Sequence, residues 1–158
     1  LPGVPFIYYG EEIGMPNGAA AKDEEKRTPM RWDDSANAGF TTGMPWYAFS
    51  TAEPEITVAA QEADPESLLN FYKTLIALRK NQPALNQGST EVLETEENAL
   101  LAFKRVTDGQ EVLVLANVGN SDLEFPLETS ATDLLTGESV VGSVMVGKLG
   151  MRVLEPTK

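Results

Sequence analysis

Apolar residues recur at three different rhythms along the chain. At the start, Val4-Pro5-Phe6-Ile7-Tyr8-Tyr9 is an unbroken run rich in aromatic and β-branched residues, closed by Gly10, Glu11 and Glu12. Such a run predicts a strand buried on both faces, as in a parallel sheet. Pro5 fits only its beginning, and a lone strand needs neighbours to pair with. From about Pro16 to Ala63 the periodicity fades and Gly, Pro, Asn and Asp recur. Trp32, Phe40, Trp46, Tyr47 and Phe49 fall in the same stretch. So many aromatics argue against a disordered linker and predict a long ordered loop packed over something.

A helical rhythm follows. Leu68, Phe71, Tyr72, Leu75, Ile76 and Leu78 form one apolar stripe, which predicts a helix packed on a core. Asp64 suits its N-cap, Pro65 its first position and Glu66 its positive end, while Arg79 and Lys80 suit the last turn and Pro83 stops it. Beyond it lie short strand patterns at Thr90–Leu93, Ala99–Val106, Glu111–Asn117, Leu123–Leu127, Thr132–Leu135, Ser143–Val146 and Arg152–Glu155. Asp108-Gly109 is a hairpin signal, and Gly119-Asn120, Thr136-Gly137 and Gly147-Lys148 separate others. Many short strands at this spacing predict a small antiparallel β-sandwich.

Composition narrows the function classes. The chain has 158 residues, 42% of them apolar, so it can bury a core. Its net charge of −12 repels phosphate backbones and anionic lipid, so neither nucleic acid nor a membrane surface is an expected partner. No run approaches the roughly 20 apolar residues of a membrane span. With no Cys and no His, disulfides, thiolate or imidazole metal sites and an internal histidine base are excluded. Leu1-Pro2-Gly3-Val4-Pro5 has neither Met nor the basic start of a signal peptide. It reads as the interior of a longer chain, so the compartment is left open.

Glu11-Glu12 is the first place to look for paired carboxylates. A retaining glycosidase sets its two carboxyl groups about 5–5.5 Å apart across the sugar. Neighbours on an extended chain point to opposite faces, so these acids are expected instead to cap a turn or meet an arginine. Asp33-Asp34 and Asp23-Glu24-Glu25 lack the alternating ligands of a calcium loop and read as acidic surface. Arg27-Thr28-Pro29-Met30-Arg31-Trp32-Asp33 sets two fork-shaped donors around a rigid proline. It suits either a structural Arg–Asp pin or a substrate site. Trp32, Phe40, Trp46 and Tyr47 suit either stacking on sugar rings or packing under the loop.

Residues Leu1–Met15, taken with Arg27–Asp33, Asn37–Thr41 and Pro45-Trp46, resemble the eighth barrel strand and following loop of glycoside hydrolase family 13. That family includes α-amylases, oligo-1,6-glucosidases, α-glucosidases and trehalose synthases. Ser67–Pro83 resembles its last barrel helix, and the strands after Gln87 its C-terminal domain. The resemblance implies the end of a (β/α)8 barrel over residues 1–86 and an antiparallel β-sandwich over 87–158. It implies retaining hydrolysis of α-1,4-glucosidic bonds by the parent, with the remainder of the barrel and an α-glucan or maltooligosaccharide as partners. The family's three catalytic acids map onto no residue here, and its structural calcium ligands lie mostly upstream. The chain is expected to lack catalytic residues, metal ligands and cofactors, with the family's calcium held upstream. By resemblance, substrate contacts fall to Tyr9, Glu11, Glu12, Arg27, Arg31 and Trp32. Arg31 replaces a Gln common among glucosidases, and the connection from Met15 to Arg27 is short. Both favour an amylase with endo or maltooligosaccharide preference. The alternatives are a non-catalytic carbohydrate-binding or scaffold module, and part of a trehalose synthase or α-glucosidase.

Overall fold

A computed structural model describes residues 3–157. They divide into two compact units, Val4–Leu75 and a second that begins at Ile76 and includes Gly3.

The first unit is built from short turns around a small core. The strand predicted over Val4–Tyr9 does not form: the segment is irregular, and Phe6 is 93% exposed. A parallel-type strand requires neighbours on its edges, and no strand among the described residues pairs with it. Instead the chain turns at Gly10 (φ 89°) into a 3-10 turn, Glu11–Ile13, left through Gly14 (φ 67°). Further 3-10 turns lie at Asp23–Lys26 and Ala36–Gly39. Ile13, Met30 and Leu69 form the core, with Met15, Ile56 and Val58 against it.

A short helix, α1 (Val58–Ala63), lies inside the stretch read as loop. Thr57 caps it, its hydroxyl accepting from the Ala60 N–H. The second helix, α2 (Leu68–Asn81), starts later than the sequence suggested. Ser67 is its cap, with Oγ accepting from the Asn70 N–H at 3.2 Å, while Asp64 Oδ1 closes the preceding turn by accepting from the Glu66 N–H. The expectation that the α2 stripe is core fails for half its members. Leu69 is the helix's buried residue, while Leu68, Phe71 and Ile76 are exposed. Pro83 does not merely stop α2; it occupies the first turn of α3 (Pro83–Gln87), where a missing N–H costs nothing. Among the described residues no helix is long and apolar enough to cross a membrane.

Among the described residues eight strands fill the second unit: β1 (Ser89–Leu93), β2 (Leu100–Thr107), β3 (Gln110–Asn117), β4 (Leu123–Pro126), β5 (Ala131–Asp133), β6 (Ser139–Val140), β7 (Ser143–Val146) and β8 (Met151–Pro156). All pairings are antiparallel. Six form one sheet in the order β1-β2-β3-β8-β5-β6, and β4 pairs with β7 in a second. The hairpin read at Asp108-Gly109 is present, with Thr107 opposite Gln110 and Gly109 at φ 92°. β5 begins one residue earlier and ends two residues earlier than its pattern suggested, and β6 carries no sequence signal of its own.

Strand alternation gives the large sheet two apolar faces. Leu100, Ala102, Leu113, Leu115 and Leu154 pack against Val144 and Val146 of β7. Phe103, Val112, Val114 and Val153 pack against Ala84 of α3 and Leu78. Asn117 ties the two sheets together, its side-chain N–H groups shared among the carbonyls of Ser121, Val146 and Gly147. Buried Asp133 pairs with Arg152 at 2.9 Å, joining β5 to β8.

Candidate functional site

The first unit contains a cleft of about 790 Å³ lined by Tyr9, Glu12, Glu24, Arg27, Thr28, Pro29, Met30, Trp32, Phe40 and Trp46. Its aromatic walls are half open to solvent: Trp32 is 50% exposed, Trp46 56% and Tyr9 40%. Of the two readings of the loop aromatics, packing under the loop does not describe these residues.

Each wall is held by backbone chemistry. The carbonyls of Arg31 and Trp32 accept from the Val58 and Ala59 N–H groups, donors that the start of α1 leaves without intrahelical partners. The Trp32 N–H donates in turn to Ala38 O at 2.9 Å. That bond requires a tight loop in which Asn37 and Ala38 adopt positive φ (54° and 53°) and Gly39 follows at 66°. A Cβ on Gly39 would meet the Asp33 carboxylate at 2.8–2.9 Å. Asp33 itself accepts from the Ser35 N–H and hydroxyl, which hold its carboxyl below the usual carboxylate range. Asn37 closes the far side by donating to Thr41 O and Gly43 O.

Gln61 secures the frame. Its side-chain amide donates to Ile13 O at 2.8 Å and accepts from the Leu69 N–H at 3.0 Å. Its own carbonyl takes bonds from the Ser67 hydroxyl and the Asn70 amide.

Four of the six residues singled out in the sequence meet in this cleft: Tyr9, Glu12, Arg27 and Trp32. Tyr9 donates its hydroxyl to Thr28 O at 3.2 Å. Burial, reinforced by Tyr8 and opposed by Arg27, pushes its phenol up. Glu12 Oε2 is a buried oxygen without a partner among the described residues, as is Thr28 Oγ1. Arg27 pairs with exposed Asp23 at 3.3 Å.

Glu11 and Arg31 do not line the cleft. Glu11 turns back to accept from the Tyr8 N–H at 3.2 Å, the capping role its position suggested. Arg31 is buried, donates to Glu53 O and lies 3.9 Å from Asp34, which makes it a pin of the loop. Phe40 and Trp46, which the sequence offers as sugar-stacking or loop-packing aromatics, join the lining, as does Glu24, expected to be acidic surface. They are brought there by loop path, which leaves no periodic signal. Behind them, Tyr47 donates to Glu25 at 2.7 Å and stacks at a tilt on Trp46, with ring centroids 5.5 Å apart. That bond to Glu25 raises the Tyr47 phenol.

The arrangement offers stacking faces, a guanidinium and the carboxylates of Glu12 and Glu24, a set suited to a polyhydroxylated ring. No group of three His, Cys, Asp or Glu side chains is placed to hold a metal ion among the described residues. The donor set here does not fit a calcium ion.

Residues 1–88 match the family described as the α-amylase catalytic domain. The chain is 33% identical over 172 residues to an oligo-1,6-glucosidase of Heyndrickxia coagulans, covering 87% of this chain and 31% of that protein. It is 34% identical over 125 residues to α-amylase 3 of Dictyoglomus thermophilum, covering 79% and 25%. The trehalulose synthase MutB of Pseudomonas mesoacidophila superposes with a TM-score of 0.86 at 27% identity, over 98% of this chain and 36% of that one. The chain belongs to the α-amylase family, glycoside hydrolase family 13. It spans about a third of the length of the relatives it matches.

Proposed function

We propose that this chain is the C-terminal portion of a retaining α-glucan hydrolase of the α-amylase type, acting on α-1,4-glucosidic bonds. In this reading residues 1–86 end a (β/α)8 barrel and 87–158 form an appended β-sandwich. The cleft of the first unit is then one wall of the sugar site. The observation that carries the reading is the set of half-exposed aromatic faces around Glu12 and Arg27. The apolar C–H face of a glucose ring stacks on Trp32 or Trp46, while its hydroxyls reach the carboxylate and guanidinium. Tyr9, Glu12, Arg27 and Trp32 touch substrate; Glu11 and Arg31 position the backbone that carries them.

Retaining chemistry needs a nucleophile and an acid about 5–5.5 Å apart. By the family resemblance the catalytic acids map onto no residue of this chain, and Glu11 is committed to the Tyr8 N–H, so the pair is proposed to come from the remainder of the polypeptide. That remainder is also the proposed partner of the apolar side chains the first unit leaves exposed, Phe6, Tyr8, Leu68 and Phe71.

Calorimetric titration of the chain with maltooligosaccharides tests the reading. Weak but saturable binding is expected, reduced about tenfold by Trp32→Ala or Trp46→Ala. Binding that neither substitution affects would remove the cleft from the site. A second reading, a transglycosylase or α-glucosidase parent, is favoured by the likeness to trehalulose synthase and oligo-1,6-glucosidase. Product analysis of the full-length enzyme separates free glucose or maltooligosaccharides from an isomerised disaccharide.

A further inference from the structure

Trp46 reaches the cleft on a loop with little to hold it. Residues 44–50 form no helix and no strand. Among the described residues, one hydrogen bond ties that stretch to the rest of the chain: the Tyr47 hydroxyl donates to Glu25 Oε1 at 2.7 Å. A bond to a charged acceptor is stronger than one between neutral groups. The Tyr47 ring meets Trp46 at a tilt, with centroids 5.5 Å apart, so what fixes one ring bears on the other.

Glu25 belongs to the turn Asp23–Lys26 and lies in the chain between Glu24 and Arg27, both of which line the cleft. Its carbonyl accepts from the Gly18 N–H at 2.7 Å, and its own N–H donates to Lys22 O at 3.2 Å. A Cβ on Gly18 would lie 1.5 Å from Glu25 Oε2. Gly18 does not adopt a positive φ, so the position requires glycine for space and not for backbone conformation. The missing side chain lets the Glu25 carboxylate stand where Tyr47 meets it. Gly18, Glu25 and Tyr47 thus converge on one bond, which joins the loop of Trp46 to the turn of Glu24 and Arg27.

We infer that Tyr47 is a positioning residue of the sugar site: by clasping Glu25 it sets the stacking face of Trp46 relative to Glu24 and Arg27, the polar groups that a bound glucose ring would meet. The inference rests on the reading of the cleft as a sugar site. Tyr47 and Glu25 stand outside the lining and touch no sugar; they act through Trp46 and through the turn. With the clasp open, Trp46 keeps its ring but samples more orientations. Each bound sugar must then immobilise it anew, which costs affinity.

Two measurements on the 158-residue chain test this. Calorimetry reads the affinity for maltotriose. Time-resolved fluorescence anisotropy of the sugar-free chain reads the mobility of Trp46, in a Trp32→Phe background where Trp46 is the remaining tryptophan. Tyr47→Phe keeps the ring and loses the hydroxyl. It should weaken maltotriose binding roughly three- to tenfold, the scale of one hydrogen bond, and enlarge the fast component of the anisotropy decay. Glu25→Ala removes the acceptor and Gly18→Ala displaces it, and each should act in the same way. Tyr47→Phe and Glu25→Ala together should do no more than either alone. Glu25→Gln, which still accepts a bond, should retain most of both properties. Unchanged binding in Tyr47→Phe overturns the inference and leaves the sugar site standing. Weaker binding with unchanged Trp46 mobility, additive losses, or a Glu25→Gln chain as weak as Glu25→Ala overturns it as well. No saturable binding by the parent chain removes the sugar site itself, and the inference falls with it.

Discussion

Single residues decide the shape of the cleft. Gly39 combines a positive φ of 66° with a Cβ position already filled by the Asp33 carboxylate. Gly39→Ala is expected to cost about 1–2 kcal/mol from the backbone alone, plus displacement of Asp33. Denaturant unfolding should show the loss, and tryptophan near-UV dichroism should weaken as Trp32 is released from Ala38. An unchanged midpoint would mean that the loop is not held as described. A second residue makes stability depend on pH. Lys104 meets Glu111 at 3.0 Å across β2 and β3, a contact that raises its ammonium above the usual lysine value. Because the folded value is raised, the stabilisation is complete below about pH 10.4 and fades as pH climbs through the folded value. Lys104→Met should therefore lose less stability than the parent as pH climbs above about 10.4, while the two behave alike in their pH dependence between about pH 7 and 9. Parallel pH curves would refute the pairing. The tyrosines raised in the first unit titrate with the same sign, so the difference between the two proteins is the informative quantity.

Elements were legible in proportion to how local their causes are. The β2–β3 hairpin could be read because alternation and Asp108-Gly109 lie within a short stretch. The body of α2 could be read from its period, and its start was missed because Asp64 and Ser67 are both good caps and packing chooses between them. α1 went unseen because its few residues carry no period, and it exists through Thr57 and the carbonyls of Arg31 and Trp32. The cleft was half legible: Tyr9, Glu12, Arg27 and Trp32 stood out by chemistry, but only the loop path brings Phe40 and Trp46 to them. The stripe of α2 was read correctly as apolar and wrongly as covered. Leu68→Gln and Phe71→Gln should each change the unfolding free energy of this chain by less than about 0.5 kcal/mol, as exposed sites do. Losses of about 2 kcal/mol or more would mean that these side chains are packed after all.

For the molecule as a whole, the expected activity follows from catalytic acids proposed to belong to the rest of the parent. The chain should release nothing from starch or a chromogenic α-glucoside, even where it binds maltooligosaccharide. Turnover that survives purification and is lost in Glu12→Gln would place the chemistry within these 158 residues. One further consequence concerns time. The Gln61 amide that holds Ile13 lies 48 residues downstream of it. Ribosomes add about 5–20 residues per second, so Ile13 waits roughly 2–10 s for its anchor to be synthesised. The aromatic segments lie between those two points, and the bonds from Val58 and Ala59 that seat Trp32 form no sooner. During synthesis Trp32 and Trp46 are thus open to chaperones and to other nascent chains. A hairpin such as β2–β3, by contrast, closes within microseconds of emerging.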